Sequence, residues 1–466
     1  MTAGRTLAVI LYGQHAANLE QTAGGQHALT YTDTSAATPV SLSMPVAPVT
    51  YTHARVEPFL EGLLPDREET RQAMGRELGV NGRNPFSLLS RMGLDCAGAV
   101  QFCPPADVPD VLARQGGLDP VDDQWIGDRL RVLRSDSGAS WKSPRERWSL
   151  AGAQAKFAIR QEGGRWFEPT GAEPTTHIVK PGVAGLRHQA LNEHVCLDTA
   201  TRTGLRAAWS AFTEFDGEPA LVVERYDRRR DGSGALVRLH QEDACQASSV
   251  SPRDKYESDG GPRAVDIVTL LRMHSRPRDA GRNVTDFVDA LVFSYLIEAP
   301  DAHAKNYSIL LVVERVRLAP IYDVASAAPY DSTEQTGLRQ AAMAVGRERR
   351  FGRVGRANWE RFATEAKLDP EEVVDRVRVL AAKVPDAMSD AFSALASSPA
   401  GTELRGRMLD RIAQHCASTI ARLDDGPHVD VAGRKRTAGP NGRVRSGVPE
   451  GGQYTVRARQ EPDVIL

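Results

Sequence analysis

The sequence predicts an α+β protein in which a β-rich first half is followed by a helical second half. Short runs of β-forming residues, such as Leu7–Tyr12 and His27–Tyr31, alternate with turn formers. Beyond about residue 250, apolar side chains recur at helical spacing instead. The chain has 466 residues, of which 41% are hydrophobic and 25% charged, so it is long enough for two or three domains with a large core.

Composition and charge argue against several classes of protein. A net charge of −2 gives no global signature of nucleic-acid binding. No apolar run approaches the roughly 20 residues of a membrane span. The apolar stretch 7–11 also lacks the basic flank and cleavage site of a signal peptide. Five scattered cysteines without a C-x-x-C pair favour reduced thiols. We therefore expect a cytoplasmic protein with no membrane partner.

Residues 1–104 are predicted to form a small β-rich unit with a helix. Gly24-Gly25 is a turn candidate between the first two strands, and Pro65-Asp66 begins a helix that carries Met74 and Leu78. This unit contains no catalytic constellation, which favours a scaffold or partner-binding role. Residues 105–144 are polar and are interpreted as a linker.

Residues 145–248 are predicted to be rich in strands and to contain a phosphate-binding loop. Ala151, Gly152 and Ala153 are small enough to let backbone N–H groups approach a phosphate. Ser149 and Lys156 flank this loop. The segment matches neither the Walker A motif nor G-x-G-x-x-G, so a tight hairpin of small residues is the alternative interpretation.

Two further strands in this region end in residues suited to a nucleotide site. Lys180 ends an apolar strand, as the phosphate-pairing lysine of a kinase does, although an edge lysine that discourages aggregation is the alternative. Glu193 lies on the next predicted helix and is a candidate partner for Lys180. Residues 224–226 end another apolar strand, which suits a hinge whose backbone groups meet an adenine edge.

The most informative motif lies in the predicted helical region, residues 249–424. Asp301 and Asn306 are separated by four residues and are followed by a predicted two-stranded ribbon over 307–318 and then by Asp323. Protein kinases use this layout, in which the first Asp accepts the proton of the substrate hydroxyl and the Asn and second Asp hold magnesium. A hairpin returns Asn306 and Asp323 to the same end. A surface loop followed by a hairpin is the alternative interpretation.

The rest of the helical region shows one clear helix start and then a change of composition. Asp369 is a candidate N-cap followed by Pro370 at the first helical position and by two acidic residues. Residues 425–466 are rich in Gly, Pro, Arg and Ser and are predicted to be a disordered tail.

In order and spacing, these motifs resemble those of the HipA family, the serine/threonine-kinase toxins of bacterial type II toxin–antitoxin modules. The matching stretches are S-L-A-G-A-Q-A-K (149–156), T-H-I-V-K-P (176–181), N-E-H-V-C (192–196), V-E-R-Y-D-R (223–228), H-Q-E-D-A-C-Q (240–246), K-Y-E-S-D-G-G-P (255–262), D-A-H-A-K-N (301–306) and P-I-Y-D-V-A-S-A (320–327). L-L-P-D (63–66) and D-C-A-G-A (95–99) extend the resemblance into the N-terminal unit.

The resemblance implies a two-lobed protein-kinase-like fold, with a mixed α/β N-terminal region and an all-helical C-terminal lobe, and the use of ATP and Mg²⁺. It implies that Asp301 accepts the proton and that Asn306 and Asp323 bind magnesium. It also implies that Ser149 is autophosphorylated and that this silences the kinase. The residues expected to bind ATP are Ala151, Gly152, Ala153, Gln154, Ala155, Lys156, Lys180, Glu224, Arg225, Tyr226, His303, Ala304, Lys305, Asn306, Tyr322 and Asp323.

The partners implied by the resemblance are an acceptor protein and an antitoxin. The acceptor is an aminoacyl-tRNA synthetase, typically glutamyl-tRNA synthetase. The antitoxin is a small HipB-like helix-turn-helix protein that neutralises the kinase and also places the complex on operator DNA. Two other interpretations stay open: a non-catalytic corepressor subunit, and a kinase-like enzyme for a small molecule or lipid.

Two residues depart from the family pattern within the motifs. Ala302 follows Asp301 where some members carry glycine, so a positive φ at this position would strain the chain. Ala155 replaces a residue that is usually larger in the phosphate loop.

Overall fold

The computed structural model describes residues 5–136, 139, 141, 145–312, 315–330 and 338–424. The predicted tail, residues 425–466, lies outside the described residues. Among the residues that are described, no helix combines the length and the apolar character needed to cross a membrane.

The N-terminal unit is a five-stranded antiparallel sheet packed against helices, with strand order β4-β3-β2-β1-β5. Its elements are β1 (Arg5–Leu11), β2 (Gln14–Gln21), β3 (His27–Tyr31), β4 (Thr50–Thr52), α1 (His53–Gly62), α2 (Glu68–Leu78), α3 (Pro85–Met92) and β5 (Gln101–Cys103). Strand β1 is buried on both faces. Leu7 and Val9 belong to the large core of this half, whereas Ala8 and Ile10 belong to a smaller cluster. The alternation of side chains along a strand explains this division.

The segment that we expected to be a linker is largely structured, so that prediction is wrong for residues 105–135. It contains α4 (Val108–Leu112), β6 (Gly116–Val121) and α5 (Asp123–Ser135). Strand β6 pairs antiparallel with a strand of the second sheet. Helix α5 is held because Ile126, Leu130 and Leu133 lie on one face and join the large core.

The second sheet has six strands in the order β10-β11-β9-β7-β8-β6, and every pairing in it is antiparallel. The elements of this region are β7 (Phe157–Glu162), β8 (Arg165–Gly171), β9 (His177–Lys180), α6 (Gln189–Arg202), β10 (Ser210–Phe215), β11 (Glu218–Glu224), β12 (Arg228–Arg230), β13 (Leu236–Arg238), β14 (His240–Asp243) and α7 (Ala244–Ala247). Helix α6 lies between this sheet and the helical lobe, because it contacts both β11 and the long helix α11 (Pro370–Ser393).

The C-terminal lobe is mainly helical but is not all-helical. Its elements are α8 (Ala264–His274), α9 (Pro277–Leu296), β15 (Ser308–Val312), β16 (Arg315–Leu318), β17 (Gln340–Val345), β18 (Glu348–Arg350), α10 (Arg356–Glu365), α11 and α12 (Pro399–Asp424). The predicted ribbon is present as β15 and β16, and β14 extends it to three strands. The predicted start of α11 is also confirmed, since the Asp369 side chain accepts hydrogen bonds from the backbone N–H groups of Glu371 and Glu372.

Buried polar contacts fasten the N-terminal unit to the rest of the chain. Asp95 Oδ1 accepts hydrogen bonds from Arg228 Nη2 and Arg238 Nε, each at 2.8 Å. These cations hold the pKa of Asp95 well below its usual range, although burial acts in the opposite direction. Glu242 accepts hydrogen bonds from Ser41 Oγ at 2.5 Å and from the backbone N–H of Leu42 at 2.7 Å. Buried polar and charged groups require such partners, so these contacts hold the unit in place.

Candidate active site

A cavity open to solvent, with about 1110 Å³ of empty space including its open mouth, lies where the second sheet meets the helical lobe. Most of the residues expected from the sequence line it. Those that line it are Ala151, Gly152, Ala153, Gln154, Lys156, Lys180, Glu224, Arg225, Tyr226, Asp301, His303, Lys305, Asn306, Tyr322 and Asp323. Three predicted residues lie away from it. Ala155 packs against the large core, Ala304 is buried in the core of the helical lobe, and Ser149 is fully buried.

Lys180 stands between two carboxylates in this cavity. Its Nζ, at the end of β9, lies 2.6 Å from Glu193 Oε1 on α6 and 2.6 Å from Asp323 Oδ1. Burial alone would lower the pKa of Lys180, but Asp323 and Glu193 outweigh burial and raise it. Burial would raise the pKa of Asp323, but Lys180 and Lys156 lower it. At neutral pH the cavity therefore holds a lysinium and an aspartate carboxylate.

The small-residue loop is built around Gly152 and Lys156. Gly152 has φ +100°, and a Cβ at this position would lie 2.7 Å from Lys156 Nζ. That ammonium donates to the backbone oxygen of Ala151 at 3.0 Å, and burial lowers the pKa of Lys156 to about 8. The backbone oxygen of Gly152 accepts from the N–H of Asp66 at 2.9 Å, so the N-terminal unit holds the loop in place.

Ser149 is part of the same attachment. Its Oγ donates to the backbone oxygen of Leu63 at 2.6 Å, and its backbone N–H donates to the oxygen of Asp95 at 3.0 Å. The side chain is 0% exposed. Any reaction at this hydroxyl therefore requires the segment to leave its position.

Asp301 lies in the loop after α9, beside Tyr256 and His303. The Tyr256 hydroxyl donates to Asp301 Oδ1, and His303 Nε2 lies 3.5 Å from the same oxygen. Burial raises the pKa of Asp301 to about 7, although Lys255 and Tyr256 oppose the shift. A carboxyl group poised near neutral pH suits proton transfer. The backbone φ of Ala302 is not positive, so an alanine at this position causes no strain.

Asn306 and Asp323 offer the hard oxygen donors that Mg²⁺ prefers. Asn306 Nδ2 donates to the backbone oxygen of Asp301 at 2.7 Å, which orients the amide and leaves its Oδ1 for another partner. Among the described buried atoms without a hydrogen-bond partner, three belong to residues that line the cavity: Gln154 Oε1, Glu193 Oε2 and His303 Nδ1. Unpaired buried polar atoms indicate a place for water, an ion or a ligand.

The three residues predicted to form the hinge, Glu224, Arg225 and Tyr226, line the cavity, but the Arg225 side chain has other partners. The Arg225 guanidinium is held by Asp227 at 2.9 Å and by the backbone oxygen of Cys96 at 2.8 Å. A buried guanidinium needs these acceptors, so it is not available to a nucleotide. The N–H groups of Glu224 and Arg225 donate to the backbone oxygens of Trp209 and Thr176. Tyr226 follows these two residues and also lines the cavity.

Asp66 and Lys255 line the cavity, and Tyr256 contacts Asp301, but the sequence interpretation assigned none of them a role. Asp66 Oδ2 accepts from Lys255 Nζ at 2.9 Å, and Asp66 Oδ1 accepts from Lys305 Nζ. The motifs L-L-P-D and K-Y-E-S-D-G-G-P were visible in the sequence. Their contact was not, because it joins residues about two hundred positions apart.

A separate cluster of His27, His53 and Glu57 on the N-terminal unit has the composition of a metal site among the described residues. Hydrogen bonds account for its central histidine without a metal. The Gln21 amide donates to His27 Nε2 at 2.7 Å, because its oxygen accepts from Arg5. His27 Nδ1 therefore carries the proton and donates to Glu57 at 2.5 Å.

Comparisons with known proteins identify the family of the chain. The HipA N-terminal domain matches residues 7–103, and the HipA-like C-terminal domain matches residues 148–388. A putative kinase of Sinorhizobium fredii, Y4mE, is 34% identical over 359 residues, which cover 75% of this chain and 82% of the relative. The serine/threonine-protein kinase toxin HipA of Shewanella oneidensis is 28% identical over 356 residues, which cover 73% and 78% of the two chains.

The same fold occurs in a solved structure. In the complex of Shewanella oneidensis HipA, HipB and operator DNA, one chain matches with a TM-score of 0.77 and 25% identity, over 91% of this chain and 100% of that chain. This match confirms the predicted α+β, kinase-like fold. With both HipA domains in order and a relative of 34% identity across three quarters of its length, the chain belongs to the HipA family of serine/threonine-kinase toxins.

Proposed function

We propose that this chain is a protein serine/threonine kinase that uses ATP and Mg²⁺. The observation that carries the proposal is the convergence of Asp301, Asn306, Asp323 and Lys180 on one cavity, in the order and spacing that phosphoryl transfer requires. Lys180 and Lys156 would contact the phosphates, and the Tyr226 backbone would meet the adenine edge. The small-residue loop would cover the phosphate chain.

In the proposed reaction, Asp301 orients the acceptor serine hydroxyl and receives its proton as the serine oxygen bonds to the γ-phosphorus and ADP leaves. Its pKa of about 7 suits this role, because a weaker acid holds the transferred proton more readily. Asn306 and Asp323 would hold Mg²⁺, which when bound neutralises charge on the phosphates. Lys180 keeps Asp323 ionised and in place for that purpose.

Family likeness supports the proposed acceptor and partners. The related toxin of known structure is in complex with HipB and operator DNA. We propose a HipB-like helix-turn-helix antitoxin and operator DNA as partners of this chain. We also propose that it arrests translation by phosphorylating glutamyl-tRNA synthetase or another aminoacyl-tRNA synthetase. Autophosphorylation of Ser149 would silence it, since a phosphate does not fit a fully buried hydroxyl site.

The experiment that tests this function is transfer of labelled phosphate from ATP to purified aminoacyl-tRNA synthetases, with Mg²⁺ or with a chelator. Magnesium-dependent labelling of a synthetase serine supports the proposal in full. Labelling of small molecules or lipids only would show that the acceptor is not a protein.

A second function is favoured by the DNA complex of the structural relative: a non-catalytic corepressor. Growth arrest measured without the cognate antitoxin and operator repression measured with it separate the two. If Asp323→Asn abolishes growth arrest and leaves operator repression intact, the kinase is the toxic activity. If growth arrest and repression are both unchanged, the corepressor interpretation holds.

A further inference from the structure

Asp66 brings the N-terminal unit into the active-site cavity. It lies between α1 and α2, at the end of the L-L-P-D motif, and its side chain is only 15% exposed. One carboxylate oxygen accepts from Lys255 Nζ at 2.9 Å and the other accepts from Lys305 Nζ. A residue of the supposed scaffold thus contacts two cations of the cavity at once.

Both lysines are neighbours of residues that the proposed reaction uses. Lys255 precedes Tyr256, whose hydroxyl donates to Asp301. Lys305 precedes Asn306 in the short 3₁₀ turn 304–306. The two segments also touch, since the N–H of Ala304 donates to the backbone oxygen of Lys255. Both lysines line the cavity together with Asp301 and Asn306, and Lys255 is near enough to Asp301 to act against the rise in its pKa.

Electrostatics explains why an anion is needed at this point. Two buried ammonium groups repel each other strongly unless a counter-ion lies between them. Burial would raise the pKa of Asp66, but Lys305 and Lys255 outweigh it and hold the pKa well below the usual range. Asp66 is therefore ionised across the physiological pH range and compensates both lysines.

We propose that Asp66 is a positioning residue for phosphoryl transfer that holds Lys255 and Lys305 in place. When ATP binds, each lysine gives up part of its contact with the Asp66 carboxylate and contacts oxygens of the terminal phosphate instead. The N-terminal unit is then a component of the transfer machinery as well as a scaffold. This inference rests on the proposed kinase function, but its first test does not require turnover.

The first test is the ratio of affinities for a non-hydrolysable ATP analogue and for ADP, measured by calorimetry with Mg²⁺. In Asp66→Asn the lysines lose their counter-ion and gain more from a terminal phosphate, so the ratio should rise about fivefold or more. The control is Glu68→Gln, because Glu68 is an exposed acid of the same unit that pairs with Arg83. A ratio that is unchanged or lower in Asp66→Asn overturns the proposal.

The second test measures the KM for ATP and the kcat of Asp66→Asn separately. Asp66→Asn should lower the KM for ATP and also lower kcat about tenfold, because the lysines bind phosphate but are no longer held in register. A purely structural role would lower activity with the amount of folded protein and leave KM unchanged, which would contradict the inference. If wild-type protein transfers no phosphate but the affinity ratio still rises, the kinase function fails and the role of Asp66 in phosphate binding stands.

A further variant covers the case in which Asp66→Asn does not fold. Asp66→Glu keeps the charge but moves it by one methylene. Its affinity ratio should be higher than that of the wild type and, where Asp66→Asn can be measured, lower than that of the Asn variant. A wild-type ratio in a folded Asp66→Glu protein overturns the proposal. Thermal unfolding of each variant establishes which ones are folded.

Discussion

The Nζ of Lys180 lies 2.6 Å from Glu193 Oε1, and both side chains are almost completely buried. The pair joins the end of β9 to α6, and the same ammonium also holds Asp323. Glu193 therefore shares Lys180 with the proposed magnesium ligand. A shift of α6 would therefore change how tightly Lys180 holds Asp323.

Glu193→Gln should raise the Mg²⁺ concentration needed for half-maximal phosphate transfer about fivefold, because Asp323 becomes the sole carboxylate on Lys180 and is drawn away from the metal. The free energy of unfolding should fall by about 2 kcal/mol, the contribution of one hydrogen bond to a charged group, because Asp323 still pairs with Lys180. Magnesium titration and denaturant unfolding measure the two effects. Asp198→Asn, in the exposed Asp198–Arg202 pair on the same helix, is the control. An unaltered magnesium requirement would show that Glu193 does not tune Asp323.

Gly152→Ala should weaken ATP binding about tenfold, because its Cβ would displace Lys156 Nζ and because φ +100° is unfavourable for alanine. The matched control is Gly163→Ala, which also has a positive φ, +56°, but has open space around the added Cβ. Calorimetry should show wild-type affinity in the control. Equal losses in both variants would mean that general backbone strain, and not the displaced lysine, weakens binding.

Ser149→Asp should detach the small-residue loop, because a carboxylate cannot be accommodated where the Ser149 hydroxyl donates to the Leu63 oxygen. We expect ATP affinity to fall and limited proteolysis to cut near residues 149–156. Ser149→Ala loses one hydrogen bond, about 1 kcal/mol, and should keep its affinity. If Ser149→Asp binds ATP normally, phosphorylation at this residue does not silence the protein in the way proposed.

Stability should depend on pH through Glu242, which joins β14 to the N-terminal unit. Burial raises the pKa of Glu242 to about 8, while the hydrogen bonds from Ser41 and Leu42 act against the shift. A carboxyl group with a raised pKa in the folded state contributes stability below its unfolded pKa and loses it as the pH rises through the folded pKa. The free energy of unfolding should therefore fall between about pH 4.5 and pH 8, by at most about 1.4 kcal/mol per pH unit for one proton.

Denaturant unfolding at several pH values measures this slope. The neighbouring Asp243 also has a raised pKa, about 6, so a part of the slope should persist in any Glu242 variant. Glu242→Gln should remove the component that extends from about pH 6 to pH 8. A variant whose pH dependence matches that of the wild type would show that Glu242 is already ionised in the folded protein.

The parts of the site that were predictable are those encoded locally. Asp301, Asn306 and Asp323 are joined by a short loop and a hairpin, and a hairpin brings its ends together whatever surrounds it. The Lys180–Glu193 pair was also expected, since a strand-end lysine and the next helix are close in sequence. In both cases the residues are close in sequence, so local structure alone brings their side chains near one another.

The parts that were missed depend on contacts between distant segments. Asp66 reaches Lys305 across 239 positions, and Asp95 reaches Arg228 across 133. Arg225 matched the hinge motif, but its guanidinium is held by Asp227 and the Cys96 oxygen, because a buried cation requires such acceptors. The segment that forms α5 was interpreted as a linker because most of its residues are polar. Only three apolar residues at helical spacing, Ile126, Leu130 and Leu133, indicate the buried face.

The most direct test of the central claim is phosphate transfer by Asp301→Asn beside the wild type, with ATP affinity measured on the same samples. We expect transfer to fall at least about a hundredfold, because the acceptor hydroxyl loses its proton acceptor, while ATP affinity stays within about threefold. Transfer at the wild-type rate by a variant that binds ATP normally would contradict the assignment of Asp301 and, with it, the proposed mechanism.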